Sequence, residues 1–368
     1  MNALSSFPRS AWEHALWTLC VLCLASTTAT RADEKDDRLA RSPRQVAEQL
    51  AKVYGHKLDQ VAYIPSLPLV AKLRLGELTG DDSHAAEVNQ IARPFLSGEK
   101  SSVPKSGSEQ AGHLIFAELA IRSEGKDRER WISLSRSAAD QIFDDQGQPH
   151  ALMPHHNEMS DAVFMAGPIL AATGKLTGER KYFDAAAAHF ASMKRLCLRG
   201  DGLYRHSPLC EAAWGRGNGF PALGLAWALS EWPDDHPAKG ELIAELLNHL
   251  AALKPHQDAA TGCWHQVIDH PESYDEYSCT CMIGWAMQRG IGRGWLAKAD
   301  YQPHVDSAWR AINQRTSPTG ELVNVCTGTG KQKTLADYFK RPAINGRDDR
   351  GGAMGMLFAV ELLAAERR

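Results

Sequence analysis

The chain has 368 residues, 43% of them hydrophobic, and a formal net charge of −3. That length allows one large domain or two small ones, and the composition supports a full globular core. No basic field points to nucleic acid and no run of like charges forms a tail, so the expected partner is a small molecule.

Residues 1–32 read as a secretory signal peptide. Arg9 precedes the apolar segment Ala15–Ser26, and small residues follow at Ala29 and Ala32. The segment is too short for a comfortable membrane span, and no second one follows, so no membrane partner is expected. Cys23 lacks a small residue directly before it, which argues against a lipoprotein anchor. The chain is therefore expected to be secreted or periplasmic, with one domain over residues 33–368.

From Ser42 onward helical periodicity dominates. A first amphipathic helix covers PRQVAEQLAKVY. The apolar segment SLPLVAKLRLGELTGDD, stopped by Gly80, precedes amphipathic HAAEVNQIARPFL. The pairing recurs in AGHLIFAELAIRSEGKD, stopped near Gly125, with RERWISLSRSAADQIF. It recurs again in DAVFMAGPILAATGKLTGE, stopped near Gly178, with KYFDAAAAHFASMKRL. A spacing of roughly 50 residues implies stacked helical hairpins. FPALGLAWALSEW with KGELIAELLNHLAAL, SCTCMIGWAMQRG with YQPHVDSAWRAI, and the final GGAMGMLFAVELLAAE complete the series.

Six apolar and six amphipathic helices predict an all-α fold, an (α/α)6 toroid with an inner ring wrapped by an outer one. The inner helices then run in parallel, and the loops before them share one rim. Those loops carry Tyr63, Glu109, HHNEMSD ending at Asp161, His206 through Phe220, Tyr274 with Glu276, and Arg350. Such a mouth is a pocket by default.

WGRGNGF (Trp214 to Phe220) reads as a loop, because each of its glycines costs about 1 kcal/mol in a helix relative to alanine. Pro221 then suits the first turn of the following buried helix. Asp161 is either an N-cap carboxylate or a general acid/base facing the mouth. Arg216 is either a surface charge or a fork for a ligand carboxylate. His206 alone in its loop reads as a structural histidine, Trp214 and Phe220 as either core or ligand-stacking residues, and Glu276 as a helix cap. Six cysteines remain after the signal segment and read as free thiols, because Cys279 and Cys281 are too close for a normal bridge and lack zinc-site spacing. GRGNGF lacks the third glycine of a dinucleotide fingerprint, and GTGKQ is not a P-loop. No metal or cofactor is expected.

Taken together, MSDAVFMAGPILAATGKLTGERKYFD, DGLYRHS, AAWGRGNGFPALGLA, WHQVIDHPESYDEYSCTCMIGWAMQRGIGRGWL, and GTG with YFKRPAINGRDDRGGAMGMLFAVEL resemble the unsaturated uronyl hydrolases of glycoside hydrolase families 88 and 105. The resemblance runs in family order from Asp161 to the C-terminus and implies the same toroid. It implies hydration of a 4,5-unsaturated uronic acid at the non-reducing end of a lyase-generated oligosaccharide. Asp161 would protonate C4 and take a proton from the water that adds at C5, after which the hemiketal opens and the glycosidic link falls away. His206, Trp214 and Arg216 match substrate-gripping positions. Phe220 stands where the family often has a second tryptophan, and Glu109 is the available match to a helper acid. A conventional glycosidase, a lyase or an epimerase on the same toroid, or a non-catalytic carbohydrate-binding protein, are the alternatives.

Overall fold

A helix that is apolar on every side is stable only where neighbours cover it. The computed structural model describes residues 38–155 and 158–367, so the segment read as a signal peptide lies outside the described residues. Residues Ser42–Arg368 form one compact unit.

The inner helices are α2 (Tyr63–Thr79), α5 (Leu114–Ile121, preceded by the short α4, Gly107–Gly112), α7 (Ala162–Thr177), α9 (Gly215–Glu231), α11 (Tyr277–Gly292) and α14 (Asp349–Ala365). Each packs on the next, and α14 returns to α2, so the ring is closed. The outer helices are α1 (Pro43–Ala51), α3 (Asp82–Leu96), α6 (Gly125–Ala139), α8 (Lys181–Cys197), α10 (Lys239–Leu253) and α12 (Lys298–Arg315). They cover α14, α2, α5, α7, α9 and α11 respectively. This is the (α/α)6 toroid that the helix alternation predicts.

Local sequence explains the ends. Ser42 and Gln45 form a reciprocal capping box at the start of α1. Gly80 and Gly178 close α2 and α7 at φ +75° and +73°, a left-handed conformation that suits glycine. In α8 the buried Tyr182, Phe183, Ala186, Phe190 and Met193 lie on one face, as an outer helix requires.

Two details differ from expectation. The second inner helix breaks at His113 and ends at Ile121, whereas Gly125 opens α6. Gly112 sits against the chain before α2, where a Cβ would lie 2.6 Å from the Val61 carbonyl carbon. The fold also carries two small antiparallel ladders, β1 (Trp264–His265) with β2 (Asp275–Glu276) and β3 (Leu322–Cys326) with β4 (Ala343–Gly346). Both lie in connections that lead into inner helices, so they build up the rim. A short helix, α13 (Leu335–Phe339), separates β3 from β4.

The ring interior is filled rather than hollow. Phe164, Phe220, Trp227 and Trp285 are buried, and Trp227 stacks on Trp285 at 5.6 Å. Toward the C-terminal ends of the inner helices, Arg74 pairs with Glu118 and lies over Trp227, while Arg289 Nε donates to Glu361 Oε1 at 2.8 Å. All six cysteines among the described residues are free, as expected, and five are buried.

His189 on α8 is fully buried, with Nε2 donating to the Ala162 carbonyl at 2.9 Å. Burial pushes its pKa down from 6.5 to about 4, and burial lowers those of His113 and His249 as well. The unfolded chain binds protons near the ordinary histidine value while the folded chain does not. The His189 contribution is therefore complete above pH 6.5 and is lost as pH falls toward about 4. Urea unfolding is expected to show a loss on the order of 2 kcal/mol from this residue between pH 7 and 5. The His189→Gln variant should show a shallower dependence over that range.

Candidate active site

Asp161 occupies the N-cap position of α7 with helical backbone angles (φ −52°, ψ −30°) and makes no side-chain cap bond. The cap reading is therefore excluded. Its side chain is 14% exposed, and its Oδ1 is buried without a hydrogen-bond partner. Nε2 of His206 lies 3.4 Å from that oxygen and is itself buried and unpaired. The two chains meet through the backbone as well, because Ser160 N donates to the His206 carbonyl at 2.9 Å.

The segment read as a glycine loop is the start of α9, which is helical from Gly215. Local propensity disfavours this by about 3 kcal/mol for three glycines, but every residue from Gly215 to Ser230 is buried. The glycines let other chain approach: a Cβ on Gly215 would lie 2.6 Å from the His265 carbonyl oxygen, and one on Gly219 would lie 2.8 Å from Met282 Sδ. Asn218 ties the first turn down, with Nδ2 donating to the carbonyls of Tyr204 and Trp214 and Oδ1 accepting from Tyr204 N.

Pro221 thus sits in the second turn rather than the first. Lacking an N–H, it cannot serve the Gly217 carbonyl four residues back. The Ser160 hydroxyl donates to that carbonyl instead, at 2.6 Å. The residue beside Asp161 therefore satisfies an acceptor that a proline leaves open in the neighbouring inner helix.

Trp214 packs its ring 4.4 Å from that of His206, and the Arg216 guanidinium lies 4.7 Å from the Trp214 ring centre. Arg216 is 2% exposed and is not a surface charge. Its Nη1 donates to Cys326 O at 2.7 Å and its Nη2 to Thr327 O at 2.8 Å. Much of the fork expected for a ligand thus holds the loop after β3. Burial alone would lower its pKa, but Tyr63, Cys326, Glu276 and Asp161 outweigh burial and raise it, so the cation is secure beside Asp161.

Glu276 is a cap, as its position suggests: it accepts from Ser278 N at 3.0 Å and Cys279 N, and also from Cys326 N. Arg350 reaches the same loop, with Nη1 donating to Cys326 O at 3.4 Å and lying 3.6 Å from Asp348. The Tyr274 hydroxyl donates to the Arg341 carbonyl at 3.4 Å. Arg216, Glu276 and Arg350 thus converge on the loop after β3, and Tyr274 packs beside it.

Of the expected site residues Asp161 lines the cleft; His206, Trp214, Arg216, Tyr274 and Arg350 are outside its lining, and Phe220 and Glu109 point elsewhere. Phe220 is 1% exposed, stacked on Phe164 and edge-on to Tyr63, so it backs the wall from the core. Glu109 opens α4, and its carboxylate accepts from Gln60 Nε2 and Lys105 N in a separate groove with Asp59 and Ser101. The turn of α4 aims Ser106, Ser108 and Gln110, rather than Glu109, toward Asp161.

The cleft itself has a volume of about 240 Å³ and is lined by Tyr63, Ser106, Gln110, His155, Met159 and Asp161, among others. Asp161 is the one carboxylate among the described residues lining it. Tyr338, which opens the matched YFKRPAIN stretch but has no role in the sequence reading, bonds His206 at 2.8 Å. Nothing in the sequence pairs it with a histidine 132 residues away. Among the described residues, no group of three or more His, Cys, Asp or Glu side chains could hold a metal ion. No described helix is long and apolar enough to cross a membrane.

The family model described as Glycosyl Hydrolase Family 88 matches residues 56–365. The chain is 25% identical over 261 residues to an unsaturated rhamnogalacturonyl hydrolase of Bacillus subtilis, covering 69% of this chain and 70% of that one. It is 28% identical over 173 residues to an unsaturated 3S-rhamnoglycuronyl hydrolase of Formosa agariphila, covering 41% of this chain and 45% of that one. A family 105 glycoside hydrolase structure from C. acetobutylicum superposes with a TM-score of 0.75 at 20% identity, covering 87% of this chain and 98% of that one.

Ser160→Ala should cost about 1–3 kcal/mol in urea unfolding, because the buried Gly217 carbonyl loses its donor. Pro221→Ala restores an N–H four residues on. Combining the two substitutions should recover part of the loss, and strict additivity would refute the link.

Proposed function

The chain belongs to glycosyl hydrolase family 88 and is a glycoside hydrolase, and from that premise we propose that it removes a 4,5-unsaturated uronic acid from the non-reducing end of oligosaccharides, with Asp161 as general acid and base. The relatives named above act on unsaturated rhamnogalacturonyl and rhamnoglycuronyl substrates, which supports this substrate class.

One observation carries the mechanism: a carboxylate at a helix N-terminus that declines to cap it, with an unpaired buried oxygen, at the wall of a cleft. An ordinary glycosidase needs two carboxylates about the anomeric carbon, whereas among the described residues Asp161 is the one carboxylate lining this cleft. Hydration of an enol ether needs a single one. In this reading protonated Asp161 delivers its proton to C4, and positive charge develops at C5. The carboxylate so formed then takes a proton from the water adding at C5. The resulting hemiketal opens and releases the rest of the saccharide.

Tyr63, 8% exposed on the cleft, offers the aromatic face expected of Phe220. Arg216 supplies fixed positive charge near Asp161, favouring an anionic uronate even though two of its donors hold backbone. The N-terminal apolar segment supports export to the periplasm or the medium.

Loss of the ultraviolet absorbance of the conjugated enol ether tests the proposal on a panel of lyase-generated disaccharides. The wild type is expected to bleach one or more of them. Asp161→Asn should bind the same disaccharide and turn it over roughly a thousandfold or more slowly. Turnover confined to saturated oligosaccharides, or absorbance that rises, would overturn the reading.

A further inference from the structure

His206 has a fully buried ring with two different nitrogens, and only one of them faces Asp161. What that nitrogen offers, a proton or a lone pair, is set by the partner of the other. That partner is Tyr338 of α13, whose hydroxyl lies 2.8 Å from Nδ1 with the rings edge to face at 5.7 Å.

The surroundings decide the direction of this bond. The Gln332 backbone N–H makes only a weak contact with the Tyr338 oxygen at 3.4 Å, and among the described residues His206 Nδ1, at 2.8 Å, is the acceptor in reach of the phenol proton, so the phenol donates to it. Burial raises the Tyr338 pKa and outweighs the Gln332 contact that lowers it, so the phenol keeps its proton. The tyrosine is also held in place: Gln266 Nε2 donates to its carbonyl at 2.8 Å, and the Gln266 carbonyl accepts from Gly215 N at 2.7 Å. The backbone of His206 is pinned on both sides by Ala212 O and Ser160 N. Ring rotation is limited further by Trp214.

We propose that Tyr338 is a positioning residue that holds His206 in the Nε2–H tautomer, with that N–H aimed at Asp161. The proposal rests on the reading of Asp161 as general acid and base. With Nδ1 occupied as an acceptor, neutral His206 offers Asp161 a donor and no free lone pair. It therefore cannot take the proton meant for the substrate. At 3.4 Å the contact is too long for a good hydrogen bond in the resting protein. It strengthens as Asp161 becomes a carboxylate on giving up its proton. An interaction made mainly as charge develops raises kcat more than it lowers KM.

The test joins spectroscopy to kinetics on the full chain. Long-range proton–nitrogen correlation spectra of histidine-labelled protein, with His206 assigned by difference from His206→Gln, read the tautomer directly. The wild type should show Nε2 protonated and Nδ1 bare, and Tyr338→Phe should show a mixture of tautomers. In the same variant kcat should fall about tenfold to a hundredfold, with KM within about twofold of the wild type. A wild-type His206 protonated at Nδ1 overturns the assignment whether or not the variant folds. An unchanged tautomer and an unchanged kcat in a folded Tyr338→Phe protein overturn it too. Full activity in Asp161→Asn sinks the functional reading on which it stands, and the wild-type tautomer separates that failure from failure of the Tyr338 contact itself.

Discussion

The mouth of this toroid depends on how closely α7 and α9 approach. A Cβ on Gly224 would lie 2.8 Å from the Phe164 backbone, so the two inner helices touch main chain to main chain. One turn nearer the mouth, the Ser160 hydroxyl fills the vacancy that Pro221 leaves on Gly217. The contact sets where α7 begins, and Asp161 stands directly before its first residue. Because Trp214 and Arg216 enter at the start of α9, the same contact fixes the acid relative to the indole and the guanidinium.

The helical plan was legible because the alternation of apolar and amphipathic segments reflects their two positions in the ring, and solvent exposure imposes that pattern directly. What failed were inferences from local propensity. The glycines from Gly215 to Gly219 describe an unfavourable helix only when its surroundings are ignored. Buried between α7 and α11, they are the residues small enough to fit. Phe220 and Glu109 lie in the right stretches but on the wrong sides of short turns, and a difference of one residue in register around α4 exchanges Glu109 for Ser108 or Gln110. Arg216 was read as either a surface charge or a fork for a ligand carboxylate, and neither reading foresaw donors used by the chain itself. Tyr338 lay in a stretch that carried the resemblance, but its role was not legible, since that comes from a fold-dependent meeting with His206.

Buried polar atoms in folded proteins usually find partners, and those that do not call for an explanation. Asp161 Oδ1, His206 Nε2 and the Trp214 indole nitrogen are three such atoms in one small region. Elsewhere the molecule takes care to pair its charges, as with Arg289 and Glu361. Other buried polar atoms also lack a hydrogen-bond partner, Ser66 Oγ and Trp232 Nε1 among them, but three gathered around one acid suit a site that receives a polar ligand.

The filled interior bears on how a polymer could be handled. Phe164, Phe220, Trp227 and Trp285 obstruct the axis of the ring, and the Arg74–Glu118 and Arg289–Glu361 pairs lie toward its other end. A strand of sugars therefore has no exit opposite its entrance and cannot be threaded through. What enters by the mouth must also leave by it, so substrate and products share one route.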